Sequence, residues 1–355
     1  MARISQLSSL RPRDWVKGKA IGSGSFGTVH LAMTKATGGL FVVKAAQTEE
    51  ALVSLKNEAD ILESLNSRHV VRCLGRDVVR DSNSKERTVI FMEYVAGGSL
   101  WEVVEKFGGS LDEEVVRVYT REILHGLDYL HRNGIVHCDL KCKNVLLDSD
   151  GNVKLCDLGC AKRLEGPIIS HVLTHSSRSV GGTPLWMAPE VLRNEGLEAK
   201  SDIWSLGCTL IEMATGRPPW ASDISTPEAA LMKIANSNEM PQFPKQFSEE
   251  GLDFLRKCFQ RDPKRRWTAT ELLDHPFISL NSMRKEVADS PASVLMFGFH
   301  DEDSNSDSDE VGFSYANELF KKNQFYGKCH LEERTVNNQP ENSEFRSSGN
   351  WITVR

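Results

Sequence analysis

The sequence lacks a long apolar run. Nowhere among its 355 residues do about eighteen apolar residues follow one another, the length that a membrane-spanning helix needs. The opening residues Met-Ala-Arg begin no apolar signal segment, and Ala2 stands where N-myristoylation requires a glycine. The closing residues Ile-Thr-Val-Arg offer no cysteine for prenylation. We therefore expect a soluble protein without a membrane partner, located in the cytoplasm, the nucleus or both.

A strong charge of either sign is also missing. The formal net charge is −6, and most of it lies in residues 281–355, which contain 13 acidic and 8 basic residues. The rest of the chain is close to neutral, whereas binding to nucleic acid calls for a basic face. We expect no nucleic-acid partner. The sequence does not determine the oligomeric state, and a monomer is the default expectation.

The eight cysteines allow two interpretations. Cys138 with Cys142, and Cys156 with Cys160, form closely spaced pairs that resemble the ligands of a metal ion. Structural zinc sites usually have tighter pairs, and each of these cysteines lies in a segment with the pattern of an active-site element. Reduced thiols in the core of an intracellular protein are favoured, with a zinc site as the alternative.

The composition divides the chain into three parts. Residues 1–14 are a short polar extension. Residues 15–280 alternate strand-like and helix-like patterns without a long low-complexity break, so we expect one folded unit with a core in two lobes. Residues 281–355 are rich in serine and acidic residues, centred on the run 301–310, and are predicted to be a disordered regulatory tail.

The tail contains candidate modification sites. Ser304, Ser306 and Ser308 lie among carboxylates, which suits an acidophilic kinase, and Ser290 precedes Pro291, which suits a proline-directed one. The favoured interpretation is a solvated appendage that keeps the protein in solution. Tail-modifying kinases as partners are the alternative.

A glycine-rich segment gives the first chemical signal. Gly22, Gly24 and Gly27 lack the Cβ atoms that would keep the backbone away from phosphates, so free N–H groups can face an anion. The same spacing can open a dinucleotide-binding unit, in which a helix follows the third glycine. Here residues 28–32 have a strand pattern, so we predict two strands joined by a glycine turn.

A lysine inside an apolar strand gives the second signal. Lys44 ends the run Leu-Phe-Val-Val, and a buried lysine without a partner would cost several kcal/mol. Residues 49–66 have helical spacing, and Glu58 falls on their inward stripe. We predict that Lys44 and Glu58 form a pair, although Glu58 alone could also be a surface charge.

The decisive cluster lies in residues 135–147. Asp139, Lys141 and Asn144 have the spacing of a loop that accepts a hydroxyl proton, steadies a phosphoryl group and holds Mg²⁺. Asp157 follows the strand-like residues 153–156 and is predicted to be the second metal ligand. Any one of these residues alone could be structural. Their joint order and spacing match the signature set of protein kinases.

Residues 15–280 therefore resemble a eukaryotic-type protein kinase domain from end to end. The resemblance implies an α+β, bilobal fold. A small β-rich N-lobe with a helix C would span about residues 15–94, and a larger, mainly helical C-lobe about residues 95–280. It also implies these roles: Asp139 as catalytic base, Lys44, Glu58 and Lys141 as its catalytic partners, Asn144 and Asp157 as metal ligands. Lys141 is typical of Ser/Thr kinases.

ATP and Mg²⁺ are the implied cofactors, with Mn²⁺ as an alternative metal. The resemblance predicts an ATP pocket from the glycine segment, the strand that carries Lys44, the hinge between the lobes and the pocket floor. Its residues are Ile21, Gly22, Ser23, Gly24, Ser25, Phe26, Gly27, Thr28, Val29, Val42, Lys44, the gatekeeper Met92, the hinge residues Glu93 and Val95, and Leu146.

Residues 201–216 are apolar nearly all round and predict a buried helix, capped by Ser201 or Asp202 and ended by Gly216. By resemblance to the kinase family, Asp202 braces the catalytic loop. The same resemblance predicts that Glu190 pairs with Arg266.

Three residues depart from the usual kinase pattern. Val42 replaces alanine and narrows the adenine pocket, and Leu158 replaces phenylalanine but keeps an apolar plug. Cys138 stands where many kinases carry the arginine that pairs with activation-loop phosphate, which a thiol cannot do. We hypothesise that activity depends less on such a phosphate, although the activation-loop stretch contains Ser170, Thr174, Ser176, Ser177, Ser179 and Thr183.

Two motifs indicate the group within the family. Residues 15–27 and 182–190 resemble MAP kinase kinase kinases of the MEKK type, particularly the compact plant members. This resemblance implies that the protein substrates are MAP kinase kinases. A Ser/Thr kinase of another group is the alternative. A pseudokinase scaffold is a remote one, because such proteins typically lose Lys44, Asp139 or Asp157.

Overall fold

The computed structural model describes residue 12 and residues 14–24, 27–80, 86–164, 181–220 and 226–279. Several predictions lie outside these residues and stay predictions. They concern Ser25 and Phe26 of the glycine segment, residues 1–11 and 13 of the extension, Leu280, the tail and its serines, and the activation-loop residues Ser170, Thr174, Ser176, Ser177 and Ser179.

A five-stranded antiparallel sheet forms the N-terminal part of the fold, with strand order β1-β2-β3-β5-β4. The strand β2 begins at the third glycine of the glycine segment, so the prediction of two strands joined by a turn is confirmed and the dinucleotide alternative is wrong. The strands are β1 (Trp15–Gly24), β2 (Gly27–Thr34), β3 (Leu40–Ala45), β4 (Cys73–Arg80) and β5 (Glu86–Glu93).

Strand β3 is buried on both faces. Because side chains alternate along a strand, Val42 joins the main core while Phe41 and Val43 face a smaller cluster on the other side. In that smaller cluster Trp15, Phe41 and Phe91 meet edge to face, with ring centroids 5.6–5.9 Å apart. Lys44 therefore emerges from a strand that packing holds from both sides.

Helix α1 (Glu49–Leu62) covers the inner face of the sheet. Thr48 caps it, because its hydroxyl accepts a hydrogen bond from the Ala51 backbone N–H at 3.2 Å. The helix is shorter than the predicted residues 49–66: the Ser64 hydroxyl donates to the Ile61 carbonyl at 2.6 Å, which offers the backbone an alternative to a further turn. Glu58 lies on the buried stripe, as predicted.

The part of the chain after β5 is mainly helical. Its first long helix begins after Asp112, and its last turn carries His131 and Arg132. The helices in the described residues are α2 (Leu100–Lys106), α3 (Glu113–Arg132), α4 (Pro189–Leu192), α5 (Ala199–Thr215), α6 (Pro227–Asn236), α7 (Glu249–Cys258), α8 (Ala269–Leu273) and α9 (Pro276–Ser279). In the described ranges no helix is both long and apolar enough to cross a membrane.

Helix α5 is the central scaffold of this part, and residues 201–214 are all buried. The predicted cap is wrong. The helix begins at Ala199, Glu198 occupies the cap position, and the Ser201 hydroxyl accepts the Glu198 backbone N–H at 3.4 Å. Asp202 instead turns inward. The predicted end is confirmed, because Gly216 adopts φ +61°.

Two small antiparallel sheets hold the loops between the helices. Strand β6 (Ile135–Val136) pairs with β9 (Lys162–Arg163), and β7 (Val145–Leu147) pairs with β8 (Val153–Leu155). The predicted loop residues lie between β6 and β7, and Asp157 follows β8. The predicted α+β architecture with a β-rich N-terminal lobe and a helical C-terminal lobe is confirmed.

Candidate active site

Lys44 is the centre of a buried charge cluster. Its Nζ lies 2.6 Å from Glu58 Oε2 and 2.6 Å from Asp157 Oδ1, and the residue is only 5% exposed. The structure thus contains the Lys44–Glu58 pair, which was predicted because each charge would be costly to bury alone. Asp157, which follows a strand more than a hundred residues later in the chain, is a second partner of Lys44.

The protonation states follow from these contacts. Burial by itself would lower the pKa of Lys44, but the charges of Glu58 and Asp157 outweigh it and raise that pKa above its ordinary value. Burial likewise disfavours the Asp157 carboxylate, yet the charge and hydrogen bond of Lys44 hold the pKa of Asp157 below its ordinary value. Lys44 is therefore a cation and Asp157 an anion at neutral pH.

Asp157 has an unusual backbone conformation. Its φ of +61° and ψ of +63° place it in the left-handed region, which non-glycine residues rarely adopt. The next residue, Leu158, is fully buried, which agrees with its predicted role as an apolar plug. Asn57 of α1 donates to the carbonyl oxygen of Ala161 at 2.9 Å. Helix α1 and the segment after Asp157 are thus tied together independently of Lys44.

Asp139 is the centre of a second cluster and is 3% exposed. Its Oδ2 accepts from Lys141 Nζ at 2.8 Å and from Asn144 Nδ2 at 2.9 Å. The Asn144 amide nitrogen also donates to the Asp139 backbone carbonyl at 2.7 Å. The three residues predicted to share one loop are therefore in direct contact.

Thr183 completes this second cluster. Its hydroxyl donates to Asp139 Oδ1 at 2.6 Å and accepts from Lys141 Nζ at 2.6 Å. The sequence indicated Thr183 only as one of several hydroxyls in the activation-loop stretch. The structure places it against the predicted base, where the hydroxyl of a substrate would have to bind.

Asp202 braces the start of the loop that contains Asp139. Its two carboxylate oxygens accept the backbone N–H groups of His137, at 2.8 Å, and Cys138, at 2.9 Å. His131 Nε2 lies 2.9 Å from the first of these oxygens. The predicted brace is confirmed. The predicted Glu190–Arg266 pair is also confirmed, with two contacts of 2.7 and 3.0 Å.

Cys138 occupies the strained position of the loop, with φ +67°. Its thiol lies 3.5 Å from the Val136 carbonyl oxygen, and burial together with the charge of Asp202 raises its pKa well above the ordinary value. The thiol is therefore neutral, and it cannot attract an anionic phosphate.

The predicted ATP-pocket residues that the structure describes belong to β1, β2, β3, β5, β7 and the segment after β5. Val42 pairs across the sheet with Met92, and Val29 and Leu146 pack against the main core. The Glu93 carboxylate accepts the Arg72 backbone N–H and Lys154 Nζ, each at 2.9 Å, so its side chain fixes the hinge. The end of β1 and the start of β2 carry the predicted residues of the glycine segment, which are Ile21, Gly22, Ser23, Gly24, Gly27 and Thr28, and Ile21 is 45% exposed. Val95 is buried just beyond β5.

Gly27 needs to be a glycine for two reasons. Its φ is +131°, and a Cβ at this position would collide with the carbonyl oxygen of Ala45. By contrast, a Cβ at Gly24 would meet nothing within 4 Å. The backbone therefore approaches β3 closely at Gly27, whereas Gly24 has open space beside it.

The chain matches the family model described as protein kinase domain over residues 15–278. The chain belongs to the protein kinase family. The kinase fold predicted from the motifs is thereby confirmed, and members of this family use ATP and a divalent metal ion.

The kinase is similar to several MAP kinase kinase kinases. It is 37% identical to mitogen-activated protein kinase kinase kinase 18 of Arabidopsis thaliana, over 96% of this chain and 99% of the relative. It is 42% identical to kinase kinase kinase 17 of the same plant, over 75% and 70%. It is 43% identical to kinase kinase kinase A of Dictyostelium discoideum, over 77% of this chain but 29% of that relative. The predicted resemblance to this group is confirmed.

The donor atoms of the kinase suit a hard divalent cation. Because the Asn144 amide nitrogen is used by Asp139, its amide oxygen is left to bind a metal, and Asp157 adds carboxylate oxygens. Elsewhere in the described ranges, no group of three or more His, Cys, Asp or Glu residues is arranged to hold a metal. Cys138, Cys142, Cys156 and Cys160 are free thiols.

Sequence reasoning missed two residues of this site. The sequence around Thr183 gives no chemical signal that separates it from the other hydroxyls of the activation-loop stretch; its one local feature is its position directly before Pro184. Glu212 could have been found because it is an acid within the apolar helix α5, three turns after Asp202. Its carboxylate contacts the loop that contains Asp139.

Proposed function

We propose that this kinase is specific for serine and threonine and acts as a MAP kinase kinase kinase. It transfers the γ-phosphate of ATP, with Mg²⁺, to hydroxyl groups of MAP kinase kinases. The observation that carries the proposal is the contact of Asp139 with both Lys141 and Thr183. This arrangement offers a carboxylate, a cation and a hydrogen-bonding partner to a single incoming hydroxyl.

Asp139 is the general base of the proposed reaction. Its Oδ1 bonds the Thr183 hydroxyl, and a substrate hydroxyl that takes a place beside Thr183 comes within reach of the same oxygen. Asn144 holds Asp139 in place, because its amide nitrogen donates to the Asp139 backbone carbonyl and to Oδ2 of the Asp139 carboxylate. The Asp139 carboxylate is thus oriented before the substrate binds, so this side chain does not need to reorganise during phosphoryl transfer.

Lys141 and Lys44 supply positive charge at two places in the site. Lys141 contacts Asp139 and Thr183, so it lies beside the hydroxyl that attacks. Lys44 lies beside Asp157, where it can orient phosphate oxygens, and Glu58 holds it in position. Both cations face developing negative charge on the phosphoryl group, which is the principal form of catalysis in phosphoryl transfer.

Asn144 and Asp157 would hold the metal ion through their oxygen atoms. A Mg²⁺ ion held there would neutralise charge on the phosphates of ATP. Mg²⁺ prefers oxygen ligands. Asn144 contacts Asp139 in the same loop, and Asp157 contacts Lys44.

The substrate class rests on the relatives. Two Arabidopsis proteins named as MAP kinase kinase kinases are covered by this chain over 70% and 99% of their length. The chain spans less than a third of the Dictyostelium relative. The phosphorylated residue would be a serine or threonine in the activation loop of the substrate kinase.

The test is an in vitro assay with radiolabelled ATP, Mg²⁺ and a panel of kinase-dead MAP kinase kinases. Each panel member is paired with a variant whose activation-loop Ser and Thr residues are replaced by Ala, and a generic basic protein serves as reference. We expect preferential labelling of at least one intact member and loss of the label in its paired variant. Equal labelling of the panel and the basic protein would contradict the proposed substrate class.

A further inference from the structure

Glu212 is a buried carboxylate that the proposed reaction leaves without a role. It lies on helix α5 among apolar side chains and is 2% exposed. A carboxylate in such a place is unfavourable unless several hydrogen bonds compensate for the loss of water. Its partners therefore indicate what the residue does.

Two hydrogen bonds connect Glu212 to separate parts of the active site. Its Oε2 accepts the backbone N–H of Cys142 at 3.0 Å and the indole N–H of Trp186 at 3.1 Å. Cys142 directly follows Lys141 in the loop, and Trp186 lies three residues after Thr183. One oxygen atom thus joins the loop that carries the predicted base to the segment that carries Thr183.

The contact belongs to a polar stripe on helix α5. Residues 202, 205, 209 and 212 follow one another at spacings of three and four, so they share one helix face. The Ser205 hydroxyl donates to the Trp186 carbonyl at 2.8 Å, and the Thr209 carbonyl lies 3.7 Å from the Cys142 thiol. Helix α5 thus contacts the loop that carries Asp139 at residues 202, 209 and 212, and the Trp186 segment at residues 205 and 212.

The two acids of the stripe hold opposite ends of the loop. Asp202 accepts the backbone N–H groups of residues 137 and 138, and Glu212 accepts that of residue 142. Asp139 lies between the two anchored ends. A loop fixed at both ends to one rigid helix can hold a side chain to the accuracy that catalysis needs.

We propose that Glu212 is a positioning residue for phosphoryl transfer. It keeps the Lys141 end of the loop and the Thr183 segment in register, so that Asp139, Lys141 and Thr183 converge on one hydroxyl. This role rests on the proposed kinase function and deepens it. Glu212 has no contact with Lys44 or Asp157 in the described residues, so it acts on the hydroxyl side of the reaction and not on ATP binding.

The charge of Glu212 is secondary to its hydrogen bonds. Burial raises the pKa of Glu212, while the N–H groups of Cys142 and Trp186 oppose that shift. A carboxylate, a carboxylic acid and an amide all present an oxygen acceptor to these two donors. Glutamine at this position should therefore preserve the function, whereas leucine, which has a similar volume, removes the acceptor.

The experiment compares Glu212→Leu, Glu212→Gln and Trp186→Phe in steady-state kinetics with ATP and a protein substrate. We expect Glu212→Leu to lower kcat about tenfold or more while KM for ATP stays unchanged, because a small misplacement of reacting groups is costly. Glu212→Gln should be close to the wild type. Trp186→Phe, which loses one of the two hydrogen bonds, should be intermediate.

A matched control separates positioning from stability. Leu210 is a fully buried residue of the same helix, and Leu210→Ala weakens the packing of that helix without removing a hydrogen-bond acceptor. We expect Leu210→Ala to lower the melting temperature with a much smaller effect on kcat. An equal loss of kcat in Leu210→Ala and Glu212→Leu, or a normal kcat in Glu212→Leu, would overturn the proposal.

A double variant tests whether the two residues act through their shared hydrogen bond. Glu212→Leu and Trp186→Phe each remove that hydrogen bond, so the loss of kcat in the double variant should be smaller than the sum of the two single losses. Strict additivity would count against the role. A wild type that transfers phosphate to a generic protein but not to MAP kinase kinases would defeat only the proposed substrate, and the Glu212 comparison would then use the generic protein.

Discussion

The hydroxyl of Thr183 donates a hydrogen bond of 2.6 Å to Asp139, although the two residues lie 44 positions apart in the chain. Lys141 contacts both partners, so the three side chains form a closed triangle. The segment that carries Thr183 is thereby docked onto the loop that carries the predicted base. On this account, Thr183 marks the place where a substrate hydroxyl enters.

Replacement of Thr183 tests this contact. Thr183→Ala removes a hydrogen bond to a charged group, and we expect kcat for a protein substrate to fall about tenfold to a hundredfold. Thr183→Ser keeps the hydroxyl and should retain most of the activity. The measurement is steady-state kinetics at saturating ATP. Similar activity in the alanine and serine variants would show that the hydrogen bond has no part in transfer.

The presence of Cys138 leads us to expect that kinase activity depends only weakly on activation-loop phosphate. Its neutral thiol cannot pair with a phosphate, so phosphatase treatment of the purified kinase should leave most of the activity intact. The matched variant is Cys138→Arg, which restores a partner for phosphate and should become more sensitive to phosphatase. A collapse of wild-type activity after treatment would refute the hypothesis.

Replacement of Arg266 should destabilise the fold strongly, although the residue has no part in the proposed reaction. It is 1% exposed and contacts both Glu190 oxygens, at 2.7 and 3.0 Å. Arg266→Leu leaves the Glu190 carboxylate buried without its partner, and we expect the free energy of unfolding to fall by about 3–5 kcal/mol. Urea denaturation measures this change.

A double variant provides the control for this ion pair. Replacing both Arg266 and Glu190 with leucine removes the unpaired charge, so stability should recover relative to Arg266→Leu alone. A single variant that loses less than about 1 kcal/mol would show that the pair is screened by solvent, contrary to its burial.

The buried thiols should react slowly in the folded kinase. Burial raises the pKa of Cys73 to about 11 and that of Cys160 to about 12, from an ordinary value of 9.0. Only the thiolate is the nucleophile, so at pH 8 alkylation of Cys73 should be about a hundredfold slower in the folded than in the unfolded chain. Because the pKa is raised, the rate should continue to increase as the pH rises above 9. Mass spectrometry after timed iodoacetamide treatment measures both rates, and equal rates would contradict the burial of these residues.

The sequence identifies the Lys44–Glu58 pair because each residue is energetically unfavourable without the other. The same reasoning extends to Asp139, Lys141 and Asn144, which lie within six positions of one another and therefore share a loop. Local spacing and the cost of buried charge thus predict the contacts that form over short distances or across one strand and one helix.

Thr183 and Glu212 were not recognised as parts of the site, for a different physical reason. Their partners in the loop lie 44 and 70 positions away, and no periodic pattern connects them. Helix α5 presents almost entirely apolar residues, which hides the polar stripe that faces the loop. The wrong cap has a similar origin: Asp202 is a good capping residue by type, but its carboxylate is used by His137 and Cys138, and Glu198 occupies the cap position.

The most direct test of the central claim is phosphoryl transfer by the wild type and by Asp139→Asn under identical conditions. A positioned general base contributes about a hundredfold or more, so we expect the variant to lose at least that factor in kcat. Binding of ATP, measured separately, should be retained, because Asp139 contacts Lys141, Asn144 and Thr183 and not Lys44. Equal transfer by the two proteins, or no transfer by the wild type to any Ser/Thr substrate, would contradict the account.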